Sequence, residues 1–336
     1  MSAPLRLLLV WTRRAVLGLV VLAVILLAVM RWQAIRRETH SGADTAPRSG
    51  RFVHAHDVDL FVQERGDPSR PAVVFVHGTG AWSETWLPAM DAVAAAGFRA
   101  IALDLPPFGY SQRPAPPRYD KREQGRRIAS LLDAMALERP ILVGHSFGGG
   151  PTVEAVMAGP DRVRSLILVD AALGIREDGA APASGSSLAR GLLAIGPLRD
   201  AVVATFLTNP RFTRRLLQSF VADPAVAIDA RVEVYQRPLV IRGTTRAFGQ
   251  WLPALVLPDP QARSEDPAEY ARLRLPAVAL WGDRDTVTPL EQGRRIVSLV
   301  PGARLVVLPG IGHIPQIENA DGFNRALVEV LGGLEP

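Results

Sequence analysis

From about residue 51 onward, short apolar runs of four to six residues alternate with longer stretches in which apolar side chains recur at helical spacing. Residues 52–58 and 60–64 read as a hairpin-like pair of strands. Residues 72–76, 99–103, 140–143, 165–169, 277–281 and 304–308 read as further strands. Residues 123–136 place Ile128, Leu131, Leu132 and Met135 on one side of a helix, and residues 291–299 predict another. Short, wholly apolar strands between helices imply a mostly parallel sheet covered on both faces, an α/β architecture. The rhythm breaks between Asp170 and Leu275, where Pro and Gly punctuate arginine-rich amphipathic stretches such as 212–220. That segment predicts a mostly helical insertion over the sheet, with no internal repeat.

A different pattern precedes the sheet. Residues 15–30 are sixteen positions without a charge, flanked by Arg13 and Arg14 on one side and Arg31, Arg36 and Arg37 on the other. As a helix this run spans about 24 Å, slightly less than a ~30 Å hydrocarbon core. Trp11, Trp32 and snorkelling arginines extend it. No small-residue cleavage site follows, so an uncleaved membrane anchor is expected rather than a signal peptide. The pair Arg13-Arg14 resembles part of a twin-arginine signal, without its usual lysine. A short leading segment that stays inside places the rest of the chain on the outer side. The expected layout is a short segment 1–14, a transmembrane helix 15–32, a polar tether 33–50, a first core part 51–171, a helical lid 172–275 and a second core part 276–336.

Charge changes this picture little. The formal net charge of +5 arises within residues 1–40, and the remaining chain balances. The basic excess therefore points to a membrane end and not to nucleic acid. With no cysteine in the chain, disulfides, thiolate catalysis and zinc–thiolate sites are excluded. With no phosphate loop, metal-ligand cluster or basic aromatic patch, no cofactor, metal or nucleic acid is expected.

Candidate chemistry begins at Gly144-His145-Ser146-Phe147-Gly148, a G-x-S-x-G directly after the run Ile141-Leu142-Val143. A serine on a sharp strand-to-helix turn is held in strained geometry with its oxygen presented, and the flanking glycines leave room for that turn. A serine hydroxyl needs a base. Of six histidines, His40 lies in the tether, His54 and His56 on the first strand, His77 before a loop glycine, and His145 beside the serine. His313, in a glycine loop after the last strand, is left as the candidate base. An imidazole needs an acceptor on its other nitrogen. Asp283 and Asp285 follow the penultimate strand, and Asp170 follows an earlier one. An oxyanion needs N–H donors, which the loop His77-Gly78-Thr79-Gly80 and the amide of Phe147 can supply.

These pieces, HGTG at 77–80, DLPPFGYS at 104–111, GHSFGG at 144–149, WGDRD at 281–285 and GIGH at 310–313, resemble the lid-bearing serine hydrolases of the α/β-hydrolase superfamily over residues 51–336. The superfamily includes carboxylesterases, carbon–carbon bond hydrolases, epoxide hydrolases and haloalkane dehalogenases. The resemblance implies Ser146 as nucleophile, Asp285 as the acid and His313 as the base, with the backbone amides of Thr79 and Phe147 as the oxyanion hole. Pro107 departs from the usual glycine of its loop. Serine at the turn argues against the epoxide hydrolases and dehalogenases, which use aspartate there.

The expected function is a membrane-anchored serine hydrolase cleaving an apolar carboxylic ester, or a related acyl bond, through a Ser-His-Asp triad and an acyl-enzyme. Alternatives with the same triad are a carbon–carbon bond hydrolase, a lactonase and a cofactor-free haloperoxidase. An alternative of another class is a non-catalytic binding protein of this fold. The lid offers Leu192, Leu193, Phe206, Leu207, Phe212, Leu216, Leu217, Phe220 and Trp251, some of which are expected to shape an apolar pocket above Ser146.

Overall fold

Eight strands form one sheet: β1 (Gly50–Ala55), β2 (Val58–Arg65), β3 (Ala72–Val76), β4 (Arg99–Leu103), β5 (Ile141–His145), β6 (Ser165–Val169), β7 (Ala277–Gly282) and β8 (Arg304–Leu308). Their order is β1-β2-β4-β3-β5-β6-β7-β8. β2 pairs antiparallel with both neighbours, and every pair from β4 to β8 is parallel. This computed structural model describes residues 3–177 and 187–334; residues 1–2 of the expected leading segment, 178–186 of the expected lid and 335–336 lie outside them.

The helices are α1 (Ala3–Arg37), α2 (Gly42–Thr45), α3 (Leu87–Ala95), α4 (Lys121–Ala134), α5 (Gly149–Ala158), α6 (Ser187–Ala194), α7 (Gly196–Phe206), α8 (Pro210–Phe220), α9 (Asp229–Gln236), α10 (Thr244–Val256), α11 (Pro267–Tyr270), α12 (Leu290–Leu299), α13 (Pro315–Glu318) and α14 (Ala320–Gly332). Alternation along β3 shows how they bury the sheet. Val73 and Phe75 pack on one face with Met90 and Val93 of α3 and Phe323 and Leu327 of α14. Val74 and Val76 pack on the other with Ile128 of α4, Val153 of α5 and Ile296 of α12. A residue period of two sends neighbours to opposite faces, and all five residues of β3 are buried because helices cover both.

Three expectations about segments need correction. The apolar helix does not stop at residue 32 but runs to Arg37. Its Trp11–Arg37 part is long and apolar enough to cross a membrane by length and composition. Residues 33–50 are not a free tether. Leu27, Met30, Arg31, Ala34 and Glu38 recur every three to four residues as the less exposed stripe of the helix end, and Ala34 and Glu38 are buried. Ser49 Oγ then donates to Gln63 on β2. The two ends of the insertion pack into the main core. Leu173, Leu273 and Leu275 lie in the main core, and Lys121, the sole lysine, joins Leu173 O and Glu265 Oε1 at 2.8 and 2.7 Å.

Between those ends, helices α6–α10 stand over the carboxyl ends of the strands. Trp251 of α10 is fully buried, its ring 4.8 Å from Phe108 and 5.1 Å from Phe147. This aromatic contact fastens the upper helices to the sheet edge.

Candidate active site

The carboxyl ends of β3, β5, β7 and β8 converge at one place, the position where open α/β sheets present ligands. Ser146 follows β5 at φ 50° and opens a tight turn into α5. A non-glycine residue at positive φ is costly and persists only when its surroundings hold it there. The surroundings are tight. A Cβ on Gly148 would lie 2.3 Å from His77 O, and one on Gly144 2.7 Å from Thr152 Oγ1. Both glycines are therefore sterically required.

The loop after β8 brings His313 across the sheet edge. Its Nε2 lies 2.8 Å from Ser146 Oγ, and its Nδ1 2.8 Å from Asp285 Oδ2. All three residues are buried, Ser146 to 7 % exposure. Asp285 Oδ1 accepts from the amides of Val287 and Thr288 at 2.7 and 2.9 Å, and Oδ2 also accepts from Thr288 Oγ1 at 2.5 Å. Burial pushes the Asp285 carboxyl up, but the His313 and Thr288 hydrogen bonds outweigh it and hold the group below its ordinary value. It stays ionised, as an acceptor for an imidazole N–H must.

The other two acidic candidates do different things. Asp283 Oδ1 accepts from Gly310 N at 2.6 Å, steadying the histidine loop. Asp170 Oδ1 accepts from Gly282 N at 2.9 Å at the end of β7. Burial, reinforced by the nearby Asp285 carboxylate, raises Asp170 well above the usual carboxylate range, which favours its neutral form.

The candidate oxyanion loop lies directly against Ser146: a Cβ on Gly78 would come within 2.7 Å of Ser146 Cβ. His77 anchors that loop. Its Nε2 accepts from Leu105 N at 2.8 Å, so Nδ1 carries the proton and donates to Gly78 O at 2.8 Å. Burial pushes this imidazole down to about 4, and it remains neutral near pH 7.

Several supporting residues escaped the reading of the motifs. His145 Nε2 donates to His313 O at 2.8 Å, and burial, then the adjacent His313, push the His145 imidazole down to about 3. His313 N donates to Phe220 O at the end of α8. Glu318 Oε2 accepts from Gly312 N, while its Oε1 accepts from Ala222 N and Asp223 N. The base loop is thus tied to the helices above it. Thr288, three residues past Asp285, closes a local turn of a kind legible from spacing; the Glu318 contact spans 96 residues and left no local signal.

A cavity of about 290 Å³ adjoins the site. Thr79 and Gly80 border it from the oxyanion loop and Ile314 from the base loop. Leu207, Leu216, Leu217, Phe220, Tyr235, Leu239, Phe248, Leu252 and Leu255 supply the rest with Thr213. Four of the nine apolar residues expected to shape a pocket are therefore on its wall. Leu192 and Phe206, by contrast, are 49 % and 50 % exposed. No cation or carboxylate lines the cavity among the described residues.

A sheet of this order, with a serine at a strained strand-to-helix turn and an insertion above it, defines a hydrolase fold. The model of the α/β-hydrolase fold family matches residues 71–320, and the chain belongs to that family. It is a hydrolase similar to the 2-hydroxymuconate semialdehyde hydrolase of Pseudomonas sp. strain CF600, with 29% identity over 83% of this chain and 92% of that one. It is also similar to the 2-hydroxy-6-oxo-2,4-heptadienoate hydrolase of Pseudomonas putida, at 30% identity over 84% and 96%. A solved meta-cleavage product hydrolase of Pseudomonas fluorescens IP01 overlays with a TM-score of 0.67 at 25% identity, covering 85% of this chain and 98% of that one. A membrane phospholipase A described as a bacterial virulence factor overlays over 96% of this chain and 99% of its own, with a TM-score of 0.66. Its 24% identity speaks to fold alone. Between the chemistries expected from the motifs, the semialdehyde, heptadienoate and meta-cleavage product hydrolases side with the carbon–carbon alternative.

Proposed function

We propose that the protein is a serine-dependent hydrolase that cleaves an apolar carbonyl compound through an acyl-enzyme. The observation that carries this reading is the unbroken line Ser146–His313–Asp285, with two contacts of 2.8 Å, beside an apolar cavity. Ser146 Oγ attacks the carbonyl carbon as His313 Nε2 takes its proton; Asp285 stabilises the resulting imidazolium. The amides of Thr79 and Phe147 receive the oxyanion. His313 then protonates the leaving atom, and a water activated by the same imidazole releases the acid and restores Ser146.

The leaving atom distinguishes two versions. The named relatives support a carbon leaving group, as in hydrolysis of a vinylogous ketone. One of them is named for a heptadienoate, whose carboxylate calls for a cation. The ester version rests on the apolar character of the described cavity wall. Attachment through α1, with the catalytic part outside the membrane, suits such apolar substrates and belongs to the same proposal.

A fluorophosphonate probe should label the wild type and not Ser146→Ala, which should also lose about 10⁶-fold in kcat. Side-by-side turnover of p-nitrophenyl esters and a 2-hydroxy-6-oxo-dienoate separates the two versions. Preference for the dienoate by kcat/KM would overturn the ester version, and labelling that survives Ser146→Ala would overturn both.

A further inference from the structure

Helix α10 carries three residues of the cavity wall, Phe248, Leu252 and Leu255, yet its N-terminus has no cap of its own. Gly243 stands at the N-cap position in the left-handed region, with φ 79° and no side chain to offer. The first amides of a helix need acceptors. Glu38, 207 residues away in sequence, supplies one. Its carboxylate accepts from Thr245 N at 3.0 Å and also from Thr245 Oγ1. A carboxylate at this end is favoured by both the hydrogen bonds and the helix dipole.

The contact does not stand alone. Arg37 Nε donates to Leu239 O at 3.2 Å, and Leu239 lines the cavity. His40 N donates to Val240 O, and Arg242 N to His40 O at 2.8 Å. Thr245 Oγ1 also lies 2.7 Å from Thr208 Oγ1, next to Leu207 of the cavity wall. The segment that leaves the apolar helix is thereby laced to the residues that enter α10. Thr245, Phe248, Leu252 and Leu255 follow one another at three- and four-residue spacing, so they share a side of α10. A shift at Thr245 is therefore transmitted along the stripe that faces the cavity.

We infer that Glu38 is a positioning residue for the substrate cavity: the end of α1 sets where the α10 wall stands, and with it how long an apolar chain the cavity accepts. Ser146, His313 and Asp285 make no contact with Glu38, and their hydrogen bonds are complete without it. Loss of the cap should move the wall and leave the nucleophile in place.

This inference rests on the serine-hydrolase reading, and the test separates the two. Full-length protein in detergent is labelled with an ethyl and a decyl fluorophosphonate, and the two rates are compared. Wild type should react with both. Glu38→Ala should keep its ethyl rate within about twofold and lose roughly fivefold to tenfold on the decyl probe, the scale of a lost helix cap. Glu38→Gln should behave like wild type, because its amide oxygen still accepts both bonds. Thr245→Val, which keeps the amide donor and loses the hydroxyl, should fall between them and serves if Glu38→Ala does not fold. Equal losses on both probes, or none on either, would overturn the inference alone. A wild type labelled by neither probe would overturn the serine-hydrolase reading and the inference with it.

Discussion

The sheet edge that carries Ser146 and the cavity wall above it are built from different contacts. At the edge, each functional side chain is fixed by short polar contacts. Asp285 is held by Val287, Thr288 and His313, the base loop by His145, Glu318 and Asp283, and the oxyanion loop by His77. Above the edge, α8 and α10 meet the cavity chiefly through leucines and phenylalanines, and several apolar neighbours such as Ile195 and Phe206 are half exposed. Hydrogen bonds specify position to tenths of an ångström, whereas apolar packing tolerates substitution of similar volume. Under the proposed function, the difference assigns chemistry to the stiff layer and substrate choice to the adaptable one.

The largest expected effect lies in the stiff layer. Asp285→Asn should lower kcat about 10⁴-fold, because an amide can donate to His313 Nδ1 and stabilise the wrong tautomer. Asp283→Asn should cost little, since its amide oxygen can still accept from Gly310 N. Steady-state kinetics of the two variants on one substrate checks the ranking; the reverse order would move the acid role to Asp283.

In the adaptable layer the effect should be smaller and selective. Leu216→Ala enlarges the cavity wall and should raise KM for a long acyl chain by about tenfold, the worth of a methylene or two in an apolar pocket. kcat on an acetyl ester should stay within about twofold. A matched loss on both substrates would erase the distinction between the layers.

The smallest effect is one of pH and stability. His145 is neutral in the fold, its value pushed down to about 3 by burial and by His313, against ~6.5 in an unfolded chain. A depressed histidine contributes stability that is complete above the unfolded value and is lost as pH falls toward the folded one. The stability advantage of wild type over His145→Asn should therefore be greatest near pH 7. It should shrink by up to about 1.4 kcal/mol for each pH unit below 6.5. Denaturant midpoints of the pair from pH 7 to 5 measure this, and a constant difference would show that His145 does not titrate with unfolding.

Much of the molecule is readable locally. The strands at 72–76, 99–103, 165–169 and 304–308 coincide residue for residue with the runs read from the sequence; the inner three are mostly apolar because helices cover both faces, while β8, at the sheet edge, is only partly buried. Ser146, His313 and Asp285 were candidates before any geometry, since strand-end motifs place chemistry-bearing residues at one sheet edge. The resemblance, not spacing, preferred Asp285 to Asp283. What separates them in the fold is the turn through Val287 and Thr288 that points Asp285 at His313.

Amino-acid order alone thus determined the sheet, the strained serine turn and the apolar N-terminal helix, all of which depend on near neighbours and on residue period. Only the tertiary structure decided which of the insertion's apolar residues face the cavity. It also decided that α1 runs on to Arg37 and that Glu38 caps a helix more than two hundred residues downstream. An amphipathic helix shows that it has a buried face but not which partner buries it. A contact across 207 residues leaves no period in the chain, because the two residues become neighbours only when the core has already packed.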